Sequence, residues 1–339
     1  MSGRQRQVVL DRPGAYRIAD TEPAEPGPGE VRVRVFAAGI CGSDRELYDG
    51  TRHADYVRYP VVPGHEWSGT VEAVGDGVDP ALAGRRTVGE GFRNCQVCER
   101  CRRGDTSLCG GGYDETGFTR PGAFADTLVL PARLLHPLGP DADLRAAALL
   151  EPAAVVASAA LTARALPGER VAVVGAGTLG LLAVQFLAAS SPAELLVVDP
   201  RLGRAEEALA FGATEVRSPD ALGALTGRYD LVVETAGAPR SAVDSVALAR
   251  RGGRAVLTGL PEPGCAGLDP IGLAMNQLTV HSVFGAPSAA WSYAVRAFSS
   301  GLLDPAPLIT HEFTLEEYAD AIALVGSGDP GVGKVLLRP

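Results

Sequence analysis

An α/β fold built on a doubly wound parallel sheet, joined to a second, β-rich part, is predicted by three features of this sequence. The first is V-A-V-V-G-A-G-T-L-G at residues 171–180, where four apolar residues run into Gly175, Gly177 and Gly180 at the entry of an apolar helix. The second is a regular alternation of short apolar strands with helices after residue 194, which implies parallel strands covered on both faces. The third is the texture of residues 7–36 and 122–130, where strands and Pro-Gly turns replace that alternation.

Size and composition agree with two domains. A chain of 339 residues at 46% hydrophobic content exceeds what one core supports, since single cores stop growing near ~250–300 residues. Lys and Arg number 31 against 40 Asp and Glu, a net charge of −9, and no basic run interleaved with aromatics occurs, which argues against nucleic acid as a partner. No apolar stretch approaches the ~18 residues of a membrane span and the first residues lack the apolar core of a signal peptide, so a cytoplasmic protein acting on small molecules is expected. Four of the six cysteines fall within one short loop, which in a cytosolic chain of this size reads as metal ligands.

Taken in order, residues 7–36 hold a strand at Val8-Val9-Leu10, a Pro-Gly loop over 23–29 and an alternating half-exposed strand from Val31 to Phe36. Cys41 and His65 follow. Each sits beside glycine at a predicted strand end with an acid close behind, the arrangement of an open transition-metal site with sulfur, nitrogen and oxygen ligands. Cys95-x2-Cys98-x2-Cys101-x7-Cys109 is the most specific motif, because four thiolates in one loop can surround a zinc ion tetrahedrally. Its charged neighbours Glu99, Arg100, Arg102, Arg103 and Asp105 rule out a hydrophobic element, so the loop is read as a structural zinc site that needs its metal for order. Residues 146–165 are apolar and of helical length with one acid, Glu151, beside Pro152; that carboxylate is either a partner of the helix N-terminus or a buried ligand.

The glycine turn is a dinucleotide-binding turn, with Gly175 for the tight bend, Gly177 for approach to a pyrophosphate and Gly180 for helix-strand packing. The helix over 178–189, opening on Thr178 and Leu179, presents its amides to the phosphates. A second strand ends in Asp199, 19 positions after Gly180, where a ribose-binding carboxylate is expected. That carboxylate favours NAD, because it would repel the 2′-phosphate of NADP. Helices over 205–211 and 241–249 alternate with strands over 229–234, 254–259 and 278–285. A helix over 289–300, a strand over 310–313, a helix over 315–325 and a strand over 334–337 complete the chain, without internal repeats.

Together, Gly39-Ile40-Cys41-Gly42-Ser43-Asp44, Gly64-His65-Glu66, the four-cysteine loop, Glu151-Pro152, the glycine turn and Gly333-Lys334-Val335 resemble the zinc-containing medium-chain alcohol and polyol dehydrogenases over essentially the whole chain. The resemblance implies a Rossmann nucleotide domain over 151–285 and a β-rich GroES-like catalytic domain made of 1–150 and 286–339. It implies two zinc ions per chain: a catalytic one on Cys41 and His65 with Glu151 or Glu66 as oxygen ligand, and a structural one on Cys95, Cys98, Cys101 and Cys109. Cys265 is then a bystander.

The same resemblance places at Ser43 the hydroxyl that takes the alcohol proton onward, makes Asp44 the acid that orients His65, with Lys334 as its own partner, and adds Arg204 and Thr235 to the NAD contacts. Many relatives carry His where this chain has Glu46, so a carboxylate replaces the last member of their proton relay. The Gly64–Gly69 phrase and the polar loop over 49–59, with His53, Tyr56 and Tyr59, look more like polyol, sugar or aminocyclitol dehydrogenases than ethanol-type enzymes. An amino-alcohol (threonine-type) dehydrogenase and a non-catalytic nucleotide-binding protein are the alternatives. Relatives pair nucleotide domains through the segment 279–285, which implies a homodimer or a homotetramer.

Overall fold

In the computed structural model, which describes residues 4–261 and 264–339, the chain divides into two units. One comprises Met1–Glu151, Pro287–Ser299 and Asp304–Pro339; the other comprises Pro152–Ala286 and Ser300–Leu303.

The strands in chain order are β1 (Gln5–Arg12), β2 (Ala15–Thr21), β3 (Glu30–Ile40), β4 (Glu66–Val74), β5 (Arg86–Gly89), β6 (Thr127–Pro131) and β7 (Leu135–Pro137), then β8 (Arg170–Val174), β9 (Glu194–Val198), β10 (Glu215–Arg217), β11 (Tyr229–Glu234), β12 (Ala249–Leu257) and β13 (Thr279–Ser282), and finally β14 (Ile309–Thr314) and β15 (Lys334–Arg338). The nucleotide unit carries the predicted parallel sheet, ordered β10-β9-β8-β11-β12-β13. Strand order reverses between β8 and β11, and such a switch point is where open α/β sheets bind ligands. The glycine turn follows β8 there.

The first unit pairs β1 with β2 and builds a second sheet ordered β14-β15-β3-β4-β5-β7, with β6 also on β3. The alternation read on β3 is real: Val31, Val33 and Val35 are buried and pack with Trp67, Phe124, Leu128 and Tyr318, while Arg34 and Phe36 face outward.

Several boundaries differ from expectation for identifiable reasons. The strand expected from residue 122 begins at Thr127, because the amides of Gly122, Ala123 and Phe124 donate to the carbonyls of Val62, Gly64 and Pro63 and brace the loop that carries His65. The apolar helix expected over 146–165 is two pieces, Leu144–Ala147 and Leu150–Ala163, the first capped by Asp143. The strand expected over 254–259 starts at Ala249 and the helix expected from 205 starts at Leu202. No helix among the described residues is long and apolar enough to cross a membrane.

Candidate metal and dinucleotide sites

Cys41 closes β3 and caps the helix Gly42–Asp49. Its Sγ accepts from the Ser43 amide at 3.3 Å while the Asp44 carboxylate accepts from the Cys41 amide at 3.0 Å, a reciprocal cap that fixes the direction of the sulfur. His65 turns its Nε2 to that sulfur at 3.3 Å and its Nδ1 to the Asp44 Oδ1 at 3.5 Å. Both His65 and Asp44 are buried. Burial alone would lower the imidazole pKa, but the charges of Cys41 and Asp44 outweigh it and hold His65 well above its ordinary value. Burial likewise works against the Asp44 carboxylate, and His65, the Cys41 amide and Lys334 reverse that and hold it low.

Of the two carboxylates offered for the oxygen position, Glu66 supplies the one grouped within 4.8 Å of Cys41 and His65; Glu151 lies outside that group. Glu66 pairs with Lys334, and both are buried. Gly39 of β3 stands between them in register, opposite Glu66 on β4 and opposite Leu336 on β15. A Cβ there would collide with the Glu66 carboxylate and the Lys334 stem, so the pair meets only over a bare backbone. The expected partner of Lys334 was Asp44. The direct partner is Glu66, because Gly39 leaves that path open, and Asp44 feels Lys334 only through the local field.

Glu151 still belongs to this environment. Burial pushes its carboxyl up to about 8, against the pull of His65 and with the help of Glu66 and Glu115. Glu115 was not singled out in the sequence. It is buried, accepts from the Tyr113 hydroxyl, and is pushed up by burial to about 7. Arg52 donates to the Tyr113 oxygen at 2.8 Å and lies 3.8 Å over the Phe118 ring, which packs 4.8 Å from the His65 ring. Phe118 thus packs on His65, and Arg52, Tyr113 and Glu115 form a hydrogen-bonded polar chain behind it. Of the loop residues expected there, Tyr59 spends its hydroxyl on the Leu47 carbonyl at 2.5 Å and His53 is exposed. Ser43 is half-buried in the first turn after Cys41, and Glu46, exposed one turn on, faces Arg52 at 3.8 Å.

The four loop cysteines bring their sulfurs within 4.8 Å of one another, with Cys95 and Cys101 at 3.9 Å. A tetrahedral zinc with bonds of about 2.3 Å needs sulfurs ~3.8 Å apart, so the cluster fits that ion. The backbone supports the same reading. Amides of Cys95, Cys98, Cys101, Gly110 and Gly111 point at the sulfurs at 3.3–3.5 Å. Those N–H donors bring Cys98 down to about 6, while burial sends Cys101 up to about 12. The sulfur, imidazole and carboxylate set of Cys41, His65 and Glu66 fits an open zinc site by its donor chemistry.

In the second unit Gly175 takes φ +108°, where a side chain is strained, and a Cβ at Gly180 would strike the Gly175 carbonyl. Space around Gly177 is open, as approach by a pyrophosphate requires. Gly177 caps the helix Thr178–Ala188, whose first amides from Thr178 and Leu179 onward form the anion end. The Thr235 hydroxyl donates its one hydrogen to the carbonyls of Val174 and Gly175, bracing the glycine turn from the end of β11 and leaving only its acceptor positions for other partners. Arg204 is buried and paired with Glu207 at 3.3 Å. Asp199 accepts from the Ala176 amide at 2.7 Å and is bound by Arg201. A cavity of about 380 Å³, lined by Gly175, Asp199, Pro200, Leu222, Ala238 and Ser241, opens beside it.

Two family descriptions match: "Alcohol dehydrogenase GroES-like domain" over residues 27–140 and "Zinc-binding dehydrogenase" over 178–300. The chain is 32% identical to the sorbitol dehydrogenase of Bacillus subtilis (strain 168), covering 86% of this chain and 85% of that one. It is 33% identical to the L-threonine 3-dehydrogenase of Streptomyces avermitilis, covering 96% of each. Among solved structures, a zinc-binding dehydrogenase of Sinorhizobium meliloti 1021 bound to NADP superposes with a TM-score of 0.92 at 27% identity, covering 99% of this chain and all of the other.

Proposed function

The chain belongs to the zinc-containing medium-chain alcohol dehydrogenase family, and on that footing we propose that it oxidises a secondary alcohol of a polyol, sugar or aminocyclitol with NAD, using one catalytic and one structural zinc. The observation that carries the reading is the Cys41, His65 and Glu66 donor set backed by buried Asp44 and Lys334.

A zinc ion on that set would supply Lewis-acid polarisation of an alcohol oxygen, and a dinucleotide on the glycine turn would supply the hydride acceptor. The chain does the rest. Asp44 holds the His65 ring so that Nε2 faces the donor set, and Lys334 fixes the Glu66 carboxylate. The Ser43 hydroxyl, two residues past Cys41, would accept the alcohol proton while releasing its own to water, with the exposed Glu46 carboxylate as the outer acceptor. Burial raises the Glu151 carboxyl, and Glu66 and Glu115 raise it further, so the chain itself disfavours a second full charge beside Glu66. Arg52, Tyr113 and Glu115, hydrogen-bonded in a chain, are the polar groups that this reading assigns to a substrate with several hydroxyls, where a simple alcohol would want an apolar slot.

NAD is favoured by Asp199 at the end of β9, although the Sinorhizobium neighbour holds NADP. Ordered metal thiolates suit a reducing cytoplasm. The outer strand β13, with Phe284 exposed just beyond it, suits pairing with a second copy into a dimer or a tetramer of dimers. A homogeneous monomer at working concentration would contradict that assembly.

The threonine-type reading remains the second one, on the 33% identity to a threonine dehydrogenase and the buried Glu115, which could face a substrate ammonium. A panel of polyols, cyclitols and amino alcohols, with NAD reduction as readout, separates the two. Turnover confined to L-threonine and its analogues would displace the polyol reading; none across the panel would displace both.

A further inference from the structure

The Asp199 carboxylate, expected to receive a ribose, is already full. Oδ1 accepts from the Arg201 amide at 2.8 Å and from Arg201 Nε at 3.0 Å; Oδ2 accepts from the Ala176 amide at 2.7 Å and from Arg201 Nη2 at 3.0 Å. A carboxylate has about four acceptor positions, and these four donors take them. Two of the donors are backbone amides fixed by the turns after β8 and β9. The other two belong to one side chain that is 43% exposed, whereas Asp199 is 4% exposed.

A ribose hydroxyl can therefore reach Asp199 only if the Arg201 guanidinium moves aside. Nearby arginines do not share this position, since Arg204 pairs with Glu207 at 3.3 Å and Arg240 with Asp244 at 3.7 Å. Resting on the dinucleotide reading above, we propose that Arg201 sets the cofactor discrimination of this chain: it occupies the acceptor face that NAD would use, and it offers a 2′-phosphate a guanidinium in place of a bare carboxylate. Asp199 and Arg201 act as one unit. NAD binding must break their fork, while the 2′-phosphorylated form can use the arginine where it stands. The consequence is a preference for NAD that is weaker than Asp199 alone would impose.

The test is equilibrium binding, by calorimetry, of NADH, NADPH, 5′-AMP and adenosine 2′,5′-bisphosphate to the zinc-loaded full chain and to Arg201→Ala, Arg201→Lys and Asp199→Ala, with circular dichroism to verify folding. In Arg201→Ala the ratio of NADPH to NADH dissociation constants should rise by at least ~tenfold, and the adenosine pair should follow. Arg201→Lys, with charge but no fork, should fall between. In Asp199→Ala the freed Arg201 should tighten the 2′-phosphorylated ligands, and that gain should vanish in the double variant. A ratio that moves less than ~twofold in Arg201→Ala, or an Asp199→Ala effect independent of Arg201, overturns the proposal. A wild-type preference for NADPH would instead overturn the NAD assignment and leave the Arg201 comparison valid.

Discussion

The Glu115 carboxylate and the Tyr113 hydroxyl form a hydrogen bond in a buried position, with Arg52 as the nearest cation at 3.8 Å. Burial raises Glu115 from an ordinary 4.5 to about 7. Between those values the folded chain holds a proton that the unfolded chain has given up, so stability falls as pH rises through that window and the loss is complete above about 7. At about 1.4 kcal/mol per unit the effect is of order 3 kcal/mol. Glu115→Gln should therefore be more stable than wild type at pH 8 and comparable at pH 4.5. Thermal unfolding across pH checks it, and a difference that does not change with pH would contradict the burial argument.

Lys334 and Glu66 are a buried ion pair over Gly39. Removing one partner of such a pair leaves a charge without compensation and costs about 3–5 kcal/mol. Lys334→Met should destabilise the chain by that order, and Glu66→Gln combined with it should recover part of the loss. Denaturant unfolding of the metal-loaded protein decides this; an additive double variant would mean that the two side chains do not depend on each other.

The ligand sets around Cys41 and around Cys101 share no residue, so metal analysis should find two zinc ions per chain. Cys101→Ser should lose one zinc and lower the unfolding temperature. Cys41→Ser should lose the other, stay folded, still bind NADH and fail to turn over. A single zinc, or iron at either place, contradicts the two-site reading.

Ser43→Ala should lower kcat by about a hundredfold with NADH binding unchanged, as expected for a lost proton acceptor. Glu46→Gln should cost less than ~tenfold, because its exposed carboxylate already faces Arg52 at 3.8 Å and water can take its place. Equal losses in the two variants would make Glu46 an obligate member of the relay.

The parts of this protein legible in the sequence are those whose chemistry is local. Gly175, Gly177 and Gly180 act within one turn, and the four cysteines within one loop, so spacing alone reveals them. Asp199 was legible as a strand-end acid, yet its binding by Arg201 two residues on was not, because i, i+2 spacing outside a helix carries no fixed geometry. The Glu66–Lys334 pair depends on which strands flank β3, and the cluster of Arg52, Tyr113, Glu115 and Phe118 depends on two loops far apart in sequence meeting; neither has a periodic signal. The short helix Gly42–Asp49 hid behind its polar composition and shows itself only through the Cys41–Asp44 cap.

The pairing of Glu66 with Lys334 also orders events during synthesis. Glu66 emerges early and its counter-charge late, on a strand that must join β3 after the whole nucleotide unit has been made. At about 5–20 residues per second, the nascent chain waits roughly ten to fifty seconds with an acid it cannot bury and an open flank on β3. The nucleotide unit can fold in that interval, whereas the catalytic unit can close only after β15 has left the ribosome.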